Sequence, residues 1–186
     1  MTSRTWYFSG GDAGNYIITS MQALVGEGLA SASHLLVSPT PPAAGPVAKF
    51  ALHGVVSNER YQTQREKGDL VSVQSAIGRP PCVRGALIPI QKSAAWWNLS
   101  QDERRAIFEE RSAHIAVGRR ALPAVARRLH HCRDLEIPGE FDFLTWFDFA
   151  PEDEPIFDDL LATLRATEEW RYVSREVEIR VTRLVE

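Results

Sequence analysis

An α+β fold of antiparallel strands and packed helices is predicted by three features of this chain. Residues 172–185 alternate Val173, Val177, Ile179 and Val181 with Glu176, Glu178, Arg180 and Thr182, the period-two pattern of a strand with one buried face. Residues 154–166 place Phe157, Leu160, Leu161 and Leu164 on one side of a helix. Strand, helix and strand signals recur in both halves, which predicts two ferredoxin-like units, the first abbreviated. Residues 1–92 and 93–186 are the expected units, together one compact domain that 186 residues can fill.

Taken in order, residues 4–9 are rich in strand formers (Thr5, Trp6, Tyr7, Phe8) and stop at Gly10-Gly11. Residues 15–25 read as a helix capped by Asn15. Leu35 to Val37 is a short apolar run, and the four prolines within 39–46 make a loop. A strand is expected over 47–56, then a polar, helix-like stretch over 58–69 with a break at Gly68. Residues 86–90 form an apolar run too short for a helix, and Pro89 within it predicts an edge strand or a bulge. Ser100 and Glu103 form a capping box that opens a helix running to about Gly118. Pro123 ends that helix and suits the first turn of a second, basic one reaching about Cys132. Residues 141–149, rich in aromatics, are a strand.

Composition narrows the function classes. Hydrophobic content of 44% and charged content of 24% are those of an ordinary globular protein, and a net charge of −3 gives no footprint for nucleic acid or an anionic membrane. Two cysteines, Cys82 and Cys132, make no disulfide framework and point to a reducing compartment. The opening MTSRTWYFSGGDAG lacks the apolar run of a secretory signal, and no stretch reaches the length of a membrane span. A cytoplasmic protein is expected.

Several side chains have the chemistry of a site, and each has a plainer reading. His114, with Ile107 and Ile115 nearby, borders the apolar face of its helix and reads from periodicity as a buried, singly hydrogen-bonded histidine. Arg127 stands among Arg119, Arg120, Arg128 and Arg133, a run that reads as a solvated basic face. Periodicity does not separate it from them. His130, His131 and Cys132 are metal-type ligands, but neighbours on a helix point about 100° apart and cannot close one site. The Gly10-Gly11-Asp12-Ala13-Gly14 turn lacks the lysine of a phosphate loop.

The segments PIQKSAAWW (89–97), 100–134, FDFLTWF (141–147) and RATEEW (165–170) together resemble the chlorite dismutase family of haem b proteins. More narrowly they resemble its short-chain branch. The resemblance runs from about Gly54 to Val181 and is densest from Ala86 to Trp170. It implies two ferredoxin-like halves whose sheets close into a dimeric α+β barrel, and a homodimer. By the same resemblance His114 is the axial ligand to haem iron. Glu169, rather than its neighbour Glu168, is the acid that bonds that histidine. Arg127 is the distal arginine and Gln74 the glutamine that tethers it. Lys92 reaches a haem propionate, with Asn58 and Tyr61 as companions, while Trp96 and Trp97 pack beside the porphyrin. The implied activity converts chlorite to chloride and dioxygen through a ferryl species, with a hypochlorite fragment held by Arg127. Haem peroxidase-like and coprohaem decarboxylase relatives are alternatives, although the decarboxylases generally lack the distal arginine. A non-catalytic ligand-binding barrel is the alternative from another class.

Overall fold

The computed structural model describes residues 4–42, 48–57, 63–133, 135 and 139–184. Asn58 and Tyr61 lie outside them. Eight strands close into one antiparallel barrel: β1 (Thr5–Gly11), β2 (Tyr16–Val25), β3 (His34–Ser38), β4 (Phe50–Val56), β5 (Arg84–Lys92), β6 (Ala126–His131), β7 (Phe143–Phe149) and β8 (Val173–Arg183). Their order around the barrel is β1-β3-β2-β8-β5-β7-β6-β4. Each half therefore repeats one arrangement, with its fourth strand beside its first, then its third, then its second. In this order β5 takes the first-strand place in the second set. The helices are α1 (Gln64–Val73), α2 (Ala94–Asn98), α3 (Gln101–Arg105), α4 (His114–Arg120) and α5 (Glu154–Arg165). All but α1 belong to the second half, so the first repeat is the abbreviated one. None of the described helices is long and apolar enough to cross a membrane.

Strand alternation sorts side chains onto two sides of the barrel wall. The inward set, among them Phe8, Leu35, Leu52, Leu87, Trp146 and Ile179, fills the barrel. The outward set of the second half, with Ile88 and Phe147, packs against α4 and α5. The stripe predicted for 154–166 is the buried face of α5, with Phe157, Leu160, Leu161 and Leu164 all in this second core. Because α5 covers β8, that strand is buried on both sides. Glu176 and Glu178, expected in solvent, are instead inside, and Arg165 of α5 reaches both at 2.6 and 2.7 Å.

Five readings are corrected. Residues 15–25 are strand β2, not a helix. Bulges between Ile18 and Ser20 and between Ala23 and Val25 disturb its alternation. The inward Tyr16, Ile18 and Met21 then fall at spacings of two and three, which blurs a strand into a helix on paper. Asn15 caps nothing; its amide bonds both the N–H and the C=O of Val37. Residues 126–131 are strand β6, not a basic helix: pairing with β7 and β4 overrides the helix propensity of Ala-Arg-Arg-Leu. The helix opened by the Ser100–Glu103 capping box does not run to Gly118. It widens into a π-helical turn over Ala106–Arg111 and stops, and α4 begins afresh at His114. Strand β5 is not an edge: it lies between β7 and β8, its bulge against β8 falls at Gln91/Lys92, and Pro89 sits where no residue of β8 is paired with it. The helix expected over 58–69 is, where described, α1, which passes through Gly68 without a break.

Phe157 is fully buried, stacked on Phe149 at 4.6 Å and tilted against Phe147 at 5.2 Å. Phe157→Ala is expected to cost about 3–5 kcal/mol in urea unfolding. A loss under about 1 kcal/mol would mean that α5 does not anchor the second core.

Candidate functional site

A cleft opens between the outward face of β5, β6 and β7 and the helices that cover it. Its walls are mainly apolar, with Ile88, Leu129, Phe143, Phe147, Leu161 and Leu164 among them. Four ionisable residues line it, His114, Glu169, Lys92 and Arg127, with Thr145 as a further polar one.

His114 is the first residue of α4, and its position is built by the broken helix before it. The π-helical turn ends at Ser112, and Ala113 takes a left-handed conformation with φ of 50°. An alanine there costs roughly 1–2 kcal/mol, so surrounding contacts must hold it. One of them is Glu109, whose carboxylate accepts the Ile115 N–H at 2.6 Å and caps the new helix. Phe108, on the same π turn, stacks on the imidazole at 4.2 Å between centroids.

Glu169 lies in the turn Glu169–Tyr172 that joins α5 to β8, and it is only 4% exposed. Its Oε2 is 2.6 Å from His114 Nδ1, and its Oε1 accepts from Lys92 Nζ at 2.7 Å. Its own N–H donates to the Ser112 hydroxyl at 3.0 Å. Burial by itself would raise the carboxyl pKa. The charges and hydrogen bonds of His114 and Lys92 outweigh burial and bring it down to about 2. An ionised carboxylate only accepts, so Nδ1 carries the proton and Nε2 is the nitrogen left for a ligand. Glu168, by contrast, turns outward to within 3.5 Å of Arg111.

Lys92 has a partner that the sequence did not suggest. It is buried, held by Glu169, and lies 4.6 Å from the ring centre of Trp96 and 5.6 Å from that of Trp170. Its ammonium donates to the Glu169 carboxylate at 2.7 Å. Trp96 is 1% exposed and lines the cleft. Trp97 packs on Phe143 and donates to Asp142 at 3.2 Å.

Arg127 reaches the cleft from β6. Strand alternation separates it from its neighbour: Arg128 enters the barrel, 3.7 Å over the Trp6 ring, and is not on an outer face. Arg119 is bonded to Asp69, and Arg133 lies over Trp97. Among the described residues no carboxylate pairs with the Arg127 guanidinium, and burial alone pushes its pKa below the ordinary value. Gln74 Nε2 donates to the main-chain carbonyl of Arg127 at 2.8 Å. The geometry thus brings His114, Glu169, Lys92, Trp96 and Arg127 to one cleft, with Gln74 behind the strand.

Sequence reasoning missed Phe108, Glu109, Ser112 and Asp142. Asp142 accepts the Lys92 N–H at 2.7 Å and so fixes the end of β5. The only trace of it was an acid between two aromatics in 141–143, a position expected to be apolar on one side.

A closed barrel of two ferredoxin-like repeats, with His114, Glu169 and Arg127 around an apolar cleft, is an α+β barrel. The chlorite dismutase family model matches residues 48–185, and the chain belongs to that family. The crystal structure of dimeric chlorite dismutases from Nitrobacter winogradskyi is 52% identical, covering 96% of this chain and 99% of that one, with a TM-score of 0.87. A mutant chlorite dismutase from Candidatus Nitrospira defluvii shares the fold at 19% identity and a TM-score of 0.67, covering 99% of this chain and 93% of that one. The chlorite dismutase of Ideonella dechloratans is 31% identical over 86 residues, which is 46% of this chain and 27% of that relative.

A depressed carboxyl pKa stabilises the fold above its unfolded value and loses that contribution as pH falls through the folded one. For Glu169 the window runs from about 4.5 down to about 2. Urea unfolding across this range is expected to show wild-type stability falling, and Glu169→Gln to be less stable at pH 7 but flatter in acid. Glu66, also lowered to about 2 by Arg105, leaves a residual slope. Equal slopes in both proteins would mean that Glu169 is not a buried anion.

Proposed function

We propose that the protein is a haem b chlorite dismutase that converts chlorite to chloride and dioxygen. The observation that carries the reading is the cationic Arg127, without an acidic partner among the described residues, in the same apolar cleft as the Glu169-bonded His114.

The residues fit the cofactor. A flat apolar porphyrin suits walls of Ile88, Phe143, Phe147 and Leu164, and an imidazole whose Nδ1 already donates to Glu169 suits an iron ligand through Nε2. When bound, haem iron supplies the redox chemistry by which an oxygen atom leaves chlorite and is returned to make dioxygen.

The chain's own contribution is to bind, orient and retain. Arg127 stays charged at any working pH and presents planar donors to a small oxyanion. A guanidinium that burial has stripped of water, with no carboxylate beside it, gains most from an incoming anion. Once chlorite has given up one oxygen atom, a hypochlorite fragment remains, and Arg127 holds it in place until the second bond is made. Apolar walls keep water from competing. Glu169 draws on the Nδ1 proton of His114 and so makes Nε2 a stronger donor to iron, with Lys92 keeping Glu169 ionised. The protein is a homodimer in this reading, as the Nitrobacter relative is by description.

The test is oxygen release from chlorite by the haem-loaded protein. His114→Ala is expected to lower haem occupancy and activity together. Arg127→Ala is expected to keep haem but inactivate sooner, with hypochlorite captured by a chlorination probe. The lost bonds, about 1.5–3 kcal/mol, correspond to roughly ten- to a hundredfold in fragment lifetime. Arg120→Ala, exposed on α4, is expected to behave as wild type. No oxygen release from the loaded wild type, or equal endurance in Arg127→Ala, would contradict the reading.

A further inference from the structure

We propose that Asp148, on the inner side of β7, is a positioning residue for Arg127: it holds a loop against the strand that carries the arginine. The proposal rests on the reading above, since it concerns how the anion-binding charge is aimed.

Among the described residues no side chain bonds the Arg127 guanidinium, so its place in the cleft is set by the backbone of β6. One edge of β6 is paired with β7 from Ala126 to His131. On the other edge β4 reaches only His130 and His131, and the Ser57 N–H bonds the Leu129 carbonyl beyond them. Alternate residues of a strand face the same neighbour, so the next carbonyl on that edge is that of Arg127. It accepts from a side chain, Gln74 Nε2. Farther along, Ser75 Oγ donates to the Pro123 carbonyl at 2.9 Å and Arg79 Nη2 to the Ala124 carbonyl at 3.0 Å. Three side chains of residues 74–79 thus hold the main chain of 123–127 in the manner of a neighbouring strand.

That loop is itself anchored at Gly78. Its φ of 86° is a conformation that suits glycine, and its N–H donates to Asp148 Oδ2 at 2.5 Å. From β8, Arg183 bonds the carbonyls of Gly78, Arg79 and Pro80. Asp148 is 3% exposed, and its Oδ1 has no partner among the described residues. Burial raises its carboxyl pKa, although the Gly78 N–H and the charges of Arg79, Arg183 and Arg128 oppose the rise. A buried acid so poorly bonded is costly to the fold, and its hydrogen bond goes to the loop. It also stands directly opposite Ala126, the residue before Arg127. The loop is therefore fixed to the same stretch of sheet that it restrains.

A guanidinium meets a small anion well only when its donors arrive at bonding distance. With Asp148 removed, β6 keeps its pairing with β7 and Arg127 stays in the cleft, but its aim loosens. Anion binding then weakens, while His114 and Glu169, held by other segments, are untouched.

The experiment is a fluoride titration of the haem-loaded ferric protein, read from the haem absorbance. Asp148→Ala is expected to weaken fluoride binding about ten- to a hundredfold. Asp148→Asn, which can still accept the Gly78 N–H, is expected to recover most of that loss, and Ser75→Ala to show a smaller one. In an Arg127→Ala background Asp148→Ala is expected to change nothing further, because it acts through the arginine. Ile179→Ala, at a buried position within β8, lowers stability without touching the loop and is expected to bind fluoride as wild type does. A second measurement needs no cofactor: backbone hydrogen exchange over 126–129 is expected to be faster in Asp148→Ala than in Ile179→Ala. Unchanged fluoride affinity in both Asp148→Ala and Ser75→Ala, an effect that persists without Arg127, or exchange no faster than in Ile179→Ala would overturn the proposal. A wild type that binds haem and fluoride but releases no oxygen from chlorite would overturn the proposed function, with the role of Asp148 still decided by fluoride and exchange.

Discussion

The site depends on one buried negative charge. Glu169 is an ionised carboxylate almost out of reach of water, and such a group is tolerated only when opposite charge and hydrogen bonds replace its hydration. His114 and Lys92 supply those partners from two other parts of the chain, and Ser112 fixes the backbone beneath it. Removing any one partner leaves a buried group uncompensated, so these residues hold one another in register. The irregular backbone around them serves this purpose. A regular helix through 101–120 would carry His114 on past the carboxylate, whereas the π-helical turn and the left-handed Ala113 stop the first helix and restart the second at the histidine.

The barrel wall provides the complementary half of the site. On β6 one step along the strand decides whether an arginine is inside the barrel or in the cleft, which is why Arg127 and Arg128 have different surroundings. Arg128 finds Trp6 and His130. Arg127 finds apolar walls and Gln74 at its carbonyl, and its charge is left for a ligand. A strand holds that position more firmly than the exposed helix expected from the sequence would have done.

How much of this was legible depended on whether a local pattern had one physical cause. The α5 stripe and the β7 and β8 strands were readable because packing on one core sets their period. The Ser100–Glu103 cap was readable because it is closed by residues three apart. β2 was misread because bulges shift its inward residues off period two, and β6 because its residues favour a helix until β7 pairs with them. Periodicity could not choose Arg127 from its basic neighbours or Glu169 from Glu168, since contacts between distant segments settle both. Resemblance to the family selected both residues. It did not give Glu169 as a partner of Lys92, a contact spanning 77 positions that no local pattern records.

In the proposed function a charged Glu169 tunes His114 as the ligand to haem iron. The most direct measurement is the reduction potential of the haem-loaded protein compared with that of Glu169→Gln. A carboxylate drawing on the Nδ1 proton favours the oxidised metal, so replacing it with a neutral amide is expected to make the potential more positive with haem still bound. An unchanged potential in Glu169→Gln, with a shift in Glu168→Gln instead, would contradict the account.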